Sequence, residues 1–199
     1  MELRGKSRGK LRGNIKSDVF VIGCIHGDEP QGKFLIEQYL EIKSDTNILF
    51  IPCLNEYGFK NNIRTNKNGV DINRNFPTKN WVKSEKNEFY GGDSPASEEE
   101  TRFIMDIVNK NSPRLILTLH APFKVVNYDG DANDISKKIS EIIGYPVEES
   151  IGYPTPGSFG TWAGLEKKIP TVTLELDEKI NVQELIKPVF KIFALLENY

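Results

Sequence analysis

Four short apolar runs with helical patterns between them are the feature that most constrains the fold of this chain. Three of them have the length and the continuous apolar character of a buried strand, and the fourth is rich in β-branched residues and follows Pro170. The runs are Val19–Ile25, Ile48–Cys53, Leu115–Leu119 and Thr171–Leu176. Helical spacing appears in Gln31–Ile42, Ser97–Val108, Asn133–Ile143 and Val182–Leu196. Strands that alternate with helices predict an α/β sandwich with an at least partly parallel central sheet.

Two local signals refine this map. Ser97 stands three residues before Glu100, a pattern typical of a capping box at a helix start. Pro188 lies inside the last helical pattern and predicts that the helix restarts there.

The stretch Leu54–Ala96 has little apolar periodicity and is rich in Asn, Gly, Arg and Lys. Connections of this length in compact domains are usually functional or disordered. Four aromatic residues would anchor this one, so we interpret it as an ordered functional loop. They are Phe76, Trp81, Phe89 and Tyr90.

Size and composition exclude several classes of protein. A length of 199 residues favours a single domain spanning 1–199, and a net charge of −2 argues against a general nucleic-acid binder. No run approaches the roughly 18 apolar residues of a membrane span. Because the first residues also lack the apolar core of a secretory signal, we predict a cytoplasmic protein. The oligomeric state cannot be predicted from these features.

The N-terminal segment and the two cysteines have ordinary structural explanations. Six basic residues within 4–16 suggest a solvated edge strand or hairpin, with a patch for an anionic partner as the alternative. They are Arg4, Lys6, Arg8, Lys10, Arg12 and Lys16. Cys24 and Cys53 lie in strand-like runs and are predicted to be buried thiols of a reducing compartment.

The two histidines of the chain each follow a predicted buried strand, His26 after the first run and His120 after the third. Ligands of open α/β sheets bind at the carboxyl ends of strands, so the two imidazoles could meet across a crevice. Glu29 follows His26 by three residues, which lets one turn present both side chains to one ion. Two histidines, one carboxylate and an open position form a common catalytic zinc site. A surface histidine beside a helix-start glutamate is the competing interpretation.

The segment 64–77 adds two arginines and several amides. Arg64 and Arg74 offer planar forks of donors suited to carboxylates and oxyanions, whereas a structural role would make Arg74 an ion-pair partner. In the strand-like run at 171–176, alternation places Glu175 on the face opposite Val172 and Leu174.

Next to a metal, a partly desolvated Glu175 could take a proton from water. The nearby acids Asp177 and Glu178 could be mistaken for it.

Several motifs, in this order, resemble the zinc metallocarboxypeptidase family, and in particular the small bacterial murein peptide amidases. They are HGDE at 26–29, GVDINRNFP at 69–77, YGGDSPASEEET at 90–101, LHA at 119–121 and TLEL at 173–176. The segment 5–10 also resembles the opening hairpin of the family. The resemblance implies a three-layer α/β sandwich with a central mixed, mostly parallel twisted sheet flanked by helices.

The resemblance also implies roles. His26, Glu29 and His120 would hold one zinc ion per chain, and Glu175 would be the catalytic base. Asn73 and Arg74 would bind the terminal carboxylate of the substrate, and Arg64 would stabilise the oxyanion. Tyr153 matches the mobile tyrosine of the family, with Tyr128 and Tyr145 as substitutes and a packing role as the alternative.

The implied reaction is cleavage between γ-D-glutamate and meso-diaminopimelate in muropeptides, a step of cell-wall recycling. The segment 157–164, which would line the specificity pocket, has no charged residue and disfavours a simple Lys/Arg-selective pocket. Two alternatives stay open: an N-acyl amino acid deacylase of the succinylglutamate desuccinylase or aspartoacylase type, and a non-catalytic module that binds wall peptides or zinc.

Overall fold

A computed structural model describes residues 11–13, 16–149 and 152–199. Its six strands are β1 (Val19–Gly23), β2 (Ile48–Ile51), β3 (Leu115–His120), β4 (Val125–Asp129), β5 (Val147–Glu148) and β6 (Thr171–Glu175). Its α-helices are α1 (Gln31–Ile42), α2 (Glu56–Asn61), α3 (Glu99–Asn111), α4 (Asn133–Ile143) and α5 (Val182–Leu196). A 3₁₀ turn at Ile72–Arg74 and a π-helix at Thr161–Glu166 complete the elements.

The strands form one mixed sheet in the order β2-β1-β3-β6-β4-β5. The first four strands of that order are parallel, β4 is antiparallel to β6, and β5 is parallel to β4. The predicted mixed, mostly parallel sheet is confirmed.

Both faces of the sheet are covered, which makes the molecule a three-layer sandwich. In β1, Val19 and Val21 point into a core shared with α1, α4 and α5. Phe20 and Ile22 point into a second core shared with α3 and the π-helix. Because both faces of such a strand are buried, apolar residues do not alternate with polar ones along it. This explains the continuous apolar runs in the sequence.

The structure corrects several local predictions. α5 continues through Pro188 without a restart. α3 begins at Glu99, and Ser97 does not cap it: its hydroxyl donates to Glu98 and accepts from the Asn75 amide. β1 ends two residues early because Cys24 has a φ of +51°, which no strand accommodates.

The stretch Leu54–Ala96 is ordered, as predicted, and contains α2 and the 3₁₀ turn. Phe76 and Tyr90 are buried anchors, but Phe89 is 44 % exposed and is not one. Cys24 and Cys53 are buried free thiols, as predicted. In the basic N-terminal run, Arg12 forms an antiparallel bridge to Phe50 at the edge of β2, while the hairpin expected at 5–10 lies outside the described residues.

None of the helices in the described part of the chain is long and apolar enough to span a bilayer.

Candidate metal centre and surrounding cavity

The parallel pairing of β1 and β3 brings the two histidines together. Gly23 and Leu119 are register partners at the ends of these strands, so the residues that follow emerge side by side. His120 is the last residue of β3, and His26 lies three residues beyond β1. Both histidines are buried. The two histidines therefore meet at the strand ends, as expected from the sequence.

Glu29 joins the two imidazoles. Its Oε1 lies 2.7 Å from His26 Nδ1 and its Oε2 lies 2.8 Å from His120 Nδ1, while the two Nδ1 atoms are 3.2 Å apart. One candidate ligand atom from each of the three residues lies within 4.8 Å of the others. The sequence-predicted trio therefore forms one compact cluster.

The chemistry of this cluster fits zinc. Two imidazoles and one carboxylate are the donor set of many catalytic zinc sites. His26 Nε2 lies 3.1 Å from Asp71 Oδ1, and the carboxylate can only accept a hydrogen bond. With Nε2 donating to Asp71, Nδ1 is the nitrogen that would give up its proton to bind a metal. A carboxylate behind a ligating histidine is a common arrangement at metal sites.

The electrostatics of the cluster also favour a cation. Burial by itself would lower the pKa of His26, but the carboxylates of Glu29 and Asp71 raise that pKa to about 9. Burial opposes ionisation of these carboxylates, yet the neighbouring positive charges hold the pKa values of Glu29 and Asp71 well below their usual range. The site is built to keep two buried carboxylates ionised.

Asp71 is a functional residue that sequence analysis missed. It is fully buried, and besides His26 it accepts from Arg64 Nε at 3.0 Å and pairs with Arg64 Nη2 at 2.9 Å. Burial opposes the charge of Arg64, but Asp71 raises the pKa of the guanidinium. Asp71 thus positions the first predicted metal ligand and the predicted oxyanion residue together. The only signal in the sequence was the presence of an acid within the motif GVDINRN.

The loop at 71–75 also positions Asn73 and Arg74. The Asp71 carboxylate accepts the Asn73 backbone N–H at 2.8 Å, which stabilises the 3₁₀ turn. Asn73 Oδ1 accepts the Phe159 N–H at 2.8 Å, so its amide nitrogen can point to a ligand. Arg74 is buried and donates through Nη1 to the Asn73 carbonyl at 2.8 Å.

Glu175 ends β6 and is the register partner of His120 on β3. Its side chain is buried and its Oε2 has no hydrogen-bond partner. Burial raises the pKa of Glu175, the negative charge of Glu29 adds to the rise, and the two histidines oppose it. The alternative acids differ in placement, because Asp177 pairs with Lys124 at 3.0 Å and Glu178 is exposed at the rim.

A cavity of 280 Å³ contains all of the sequence-predicted site residues. They are His26, Glu29, Arg64, Asn73, Arg74, His120, Tyr153 and Glu175. Of the three candidate tyrosines only Tyr153 lines it, 42 % exposed and edge-on to Phe123 with ring centroids 6.3 Å apart. Tyr128 hydrogen-bonds Glu149, and the Tyr145 hydroxyl accepts the Asp177 N–H.

Phe89 was predicted to be an anchor of the loop, but its ring lies at the cavity instead. Its exposed ring lines the cavity, with the guanidinium carbon of Arg64 5.2 Å and that of Arg74 5.9 Å from the ring centroid. Both distances allow cation–π attraction. The ring therefore lies against both the predicted oxyanion residue Arg64 and the predicted carboxylate-binding residue Arg74.

A carboxylate from a different strand lies against the segment 157–164. Asp129 ends β4, and a Cβ placed on Gly160 would lie 2.1 Å from its Oδ2. The segment itself is uncharged, as noted from the sequence, but its surroundings are not. Burial raises the pKa of Asp129 to about 6.

Known proteins share this fold and these motifs. The family profile described as zinc carboxypeptidase matches residues 6–140. Murein peptide amidase A of Vibrio campbellii is 30 % identical over 149 residues, which is 68 % of this chain and 57 % of the relative. Murein peptide amidase A of Escherichia coli K12 is 32 % identical over 124 residues, 56 % of this chain and 51 % of the relative. The chain thus spans little more than half the length of these two relatives.

Solved structures of two known proteins share the fold of this chain. The murein-tripeptide amidase of Escherichia coli O157 superposes with a TM-score of 0.82 at 25 % identity, covering 94 % of this chain and 83 % of the other. Carboxypeptidase A of Helicoverpa armigera has a TM-score of 0.71 at 18 % identity, over 92 % of this chain and 61 % of the other, which shows the fold alone. Because the family profile matches well over half of its residues, this chain belongs to the zinc carboxypeptidase family.

Proposed function

We propose that this chain is a zinc-dependent peptidase that hydrolyses the amide bond before a C-terminal residue, with γ-D-glutamyl-meso-diaminopimelate in murein peptides as its substrate. One catalytic domain, residues 1–199, would hold one zinc ion on His26, Glu29 and His120. The observation that carries the proposal is the unpartnered Oε2 of Glu175, buried beside the His/Glu/His cluster in the cavity that also contains Arg64 and Arg74.

Each of these residues has a separate role in the proposed reaction. Zinc, when bound, supplies Lewis acidity that acidifies water and polarises a carbonyl. Glu175 removes a proton from the attacking water and passes it to the leaving amine nitrogen as the C–N bond breaks. Arg64, held by Asp71, donates to the oxygen that becomes negative at the carbonyl carbon. Arg74 and the Asn73 amide bind the terminal carboxylate.

The relatives named as murein peptide amidases support the substrate. The cytoplasmic location and the role in cell-wall recycling belong to the same proposal. The direct test is incubation of the zinc-loaded chain with L-Ala-γ-D-Glu-meso-diaminopimelate, followed by mass spectrometry of the products. We expect free diaminopimelate. Hydrolysis of N-succinyl or N-acetyl amino acids instead would favour the deacylase alternative, and binding without any hydrolysis would favour a non-catalytic module.

Substitution of Arg74 should change mainly KM, whereas substitution of Arg64 should change mainly kcat. Arg74→Ala should raise KM for the tripeptide by at least about tenfold with a smaller change in kcat, because hydrogen bonds to charged groups contribute about 1.5–3 kcal/mol. Arg64→Ala should lower kcat by about 10²–10³-fold, as loss of an oxyanion donor does. Steady-state kinetics on variants with checked melting curves measures both.

Arg114→Ala is the matched control, since Arg114 is exposed and pairs with Asp18 outside the cavity. An unchanged KM in Arg74→Ala would show that Arg74 does not bind the substrate carboxylate.

A further inference from the structure

A second cavity adjoins the candidate active site. It has a volume of 530 Å³, and it shares Asp28 and Arg64 with the cavity that contains the predicted zinc ligands. Lys86 and Glu88 are the other charged residues of its lining. Uncharged polar side chains also contribute, namely Asn62, Thr65, Asn68 and Asn87. The two cavities therefore meet at Asp28 and Arg64, and the proposed mechanism uses only the first of them.

The proposed binding mode directs the substrate towards this second cavity. Its terminal carboxylate is assigned to Asn73 and Arg74, which line the first cavity and not the second. Its scissile carbonyl is assigned to Arg64, on the wall that the two cavities share. The part of the substrate that precedes the scissile bond therefore continues past Arg64, and the second cavity is the space that it meets there.

The free charge at the junction of the two cavities is negative. Arg64 is already paired, because its Nη2 lies 2.9 Å from an Asp71 carboxylate oxygen. Asp28 is exposed, and its side chain forms no hydrogen bond or ion pair with the described residues. Lys86 and Glu88 have opposite charges, and neither lines the first cavity. Asp28 therefore favours a cationic group of the ligand at this junction.

The proposed substrate can place a cation at this point. L-Ala-γ-D-Glu-meso-diaminopimelate has one amino group before the scissile bond, the α-amine of alanine, and with a pKa of about 8 it is mostly protonated at neutral pH. Asp28 directly precedes the proposed metal ligand Glu29, so their Cα atoms are about 3.8 Å apart. Because the γ-linked glutamate separates the scissile carbonyl from the amine, the carbonyl can lie at the metal while the ammonium group lies at Asp28.

Building on the proposed function, we propose that the second cavity binds the amino-terminal part of the substrate and that Asp28 determines specificity by pairing with its free α-ammonium group. Peptides with a free amino terminus are preferred to peptides whose amino terminus is acylated, because an acylated ligand leaves Asp28 unpaired. Asp28 does not touch the reacting atoms, so it acts on KM and not on kcat.

Steady-state kinetics with two peptides tests this role. One is the tripeptide, and the other carries a propionyl group in place of L-alanine and lacks only the amine. Because Asp28 is exposed, the KM of wild type should be about two- to fivefold lower for the tripeptide, the gain of a solvent-exposed ion pair. In Asp28→Asn the KM for the tripeptide should rise to that for the propionyl peptide, which should stay unchanged and thereby reports an intact fold.

Glu88→Gln is the matched control. Glu88 is an exposed acid of the second cavity that does not lie on the shared wall, so its substitution should preserve the ratio of the two KM values. Equal KM values in wild type, or a ratio that persists in Asp28→Asn, would overturn the proposal. A ratio that is lost in Glu88→Gln but not in Asp28→Asn would overturn it as well.

Isothermal titration of Glu175→Gln with the same two peptides measures binding without hydrolysis. The same two- to fivefold preference should appear in Kd and should vanish when Asp28→Asn is added. That result, together with no hydrolysis of either peptide by wild type, would support Asp28 and refute the proposed function alone. Hydrolysis of both peptides with equal KM values would refute the role of Asp28 alone. Neither binding nor hydrolysis of either peptide would overturn both.

Discussion

Replacing Glu175 with Gln should lower kcat for the tripeptide by about 10²–10⁴-fold, the usual contribution of a general base. The substitution keeps the shape of the side chain and removes its ability to take a proton. Glu175 is buried beside His120, and its Oε2 has no hydrogen-bond partner in the described part of the chain. An amide nitrogen at that position therefore breaks no existing hydrogen bond. We therefore expect the variant to fold normally and to retain its zinc.

Glu178→Gln is the matched control for this experiment. Glu178 lines the same cavity but is exposed at its rim, so its loss should change kcat by less than the loss of Glu175. Steady-state kinetics and metal analysis of both variants measure the outcome. A Glu175→Gln enzyme with nearly full kcat would exclude Glu175 as the base, and an inactive Glu178→Gln would point to Glu178 instead.

Replacing Glu29 with Gln should abolish tight zinc binding and, with it, activity. The Glu29 carboxylate contacts both imidazoles, at 2.7 and 2.8 Å, and supplies the negative charge of the ligand set. Mutation of an outer-shell partner typically costs 10–100-fold in metal affinity, so loss of a direct ligand should cost more than about 100-fold. Competition with a chelating dye and metal analysis measure this affinity.

Substitution of two further carboxylates gives the zinc experiment a control and a variant of intermediate affinity. Asp28→Asn removes the adjacent acid, which is exposed and outside the cluster, and should leave zinc content unchanged. Asp71→Asn removes the partner of His26 Nε2 and should lower the zinc affinity by about 10–100-fold. This loss lies between the unchanged affinity of Asp28→Asn and the larger loss in Glu29→Gln. Equal zinc affinity in Glu29→Gln and wild type would refute the predicted ligand set.

Local pattern was sufficient for the main elements of the fold. β1, β2, β3 and β6 are buried on both faces, and their apolar runs are visible without any partner strand. β4 was not predicted, because Val125 and Val126 are followed by Asn-Tyr-Asp, which breaks the continuous apolar run. The pairing with β6 makes it a strand. The π-helix was missed too, since its apolar residues pack on a core that forms only in three dimensions.

The sequence by itself determined the cluster at the strand ends. His26, Glu29, His120 and Glu175 were found because each lies at the end of a recognisable strand or one turn beyond it, and parallel strands end at the same edge. Only the tertiary structure identified Asp71, because its importance depends on contacts between distant segments. Asp71 meets His26 across 45 residues and also pairs with Arg64. Periodicity reports which face of an element a side chain occupies, whereas the electrostatic partner of a buried charge depends on how the elements pack.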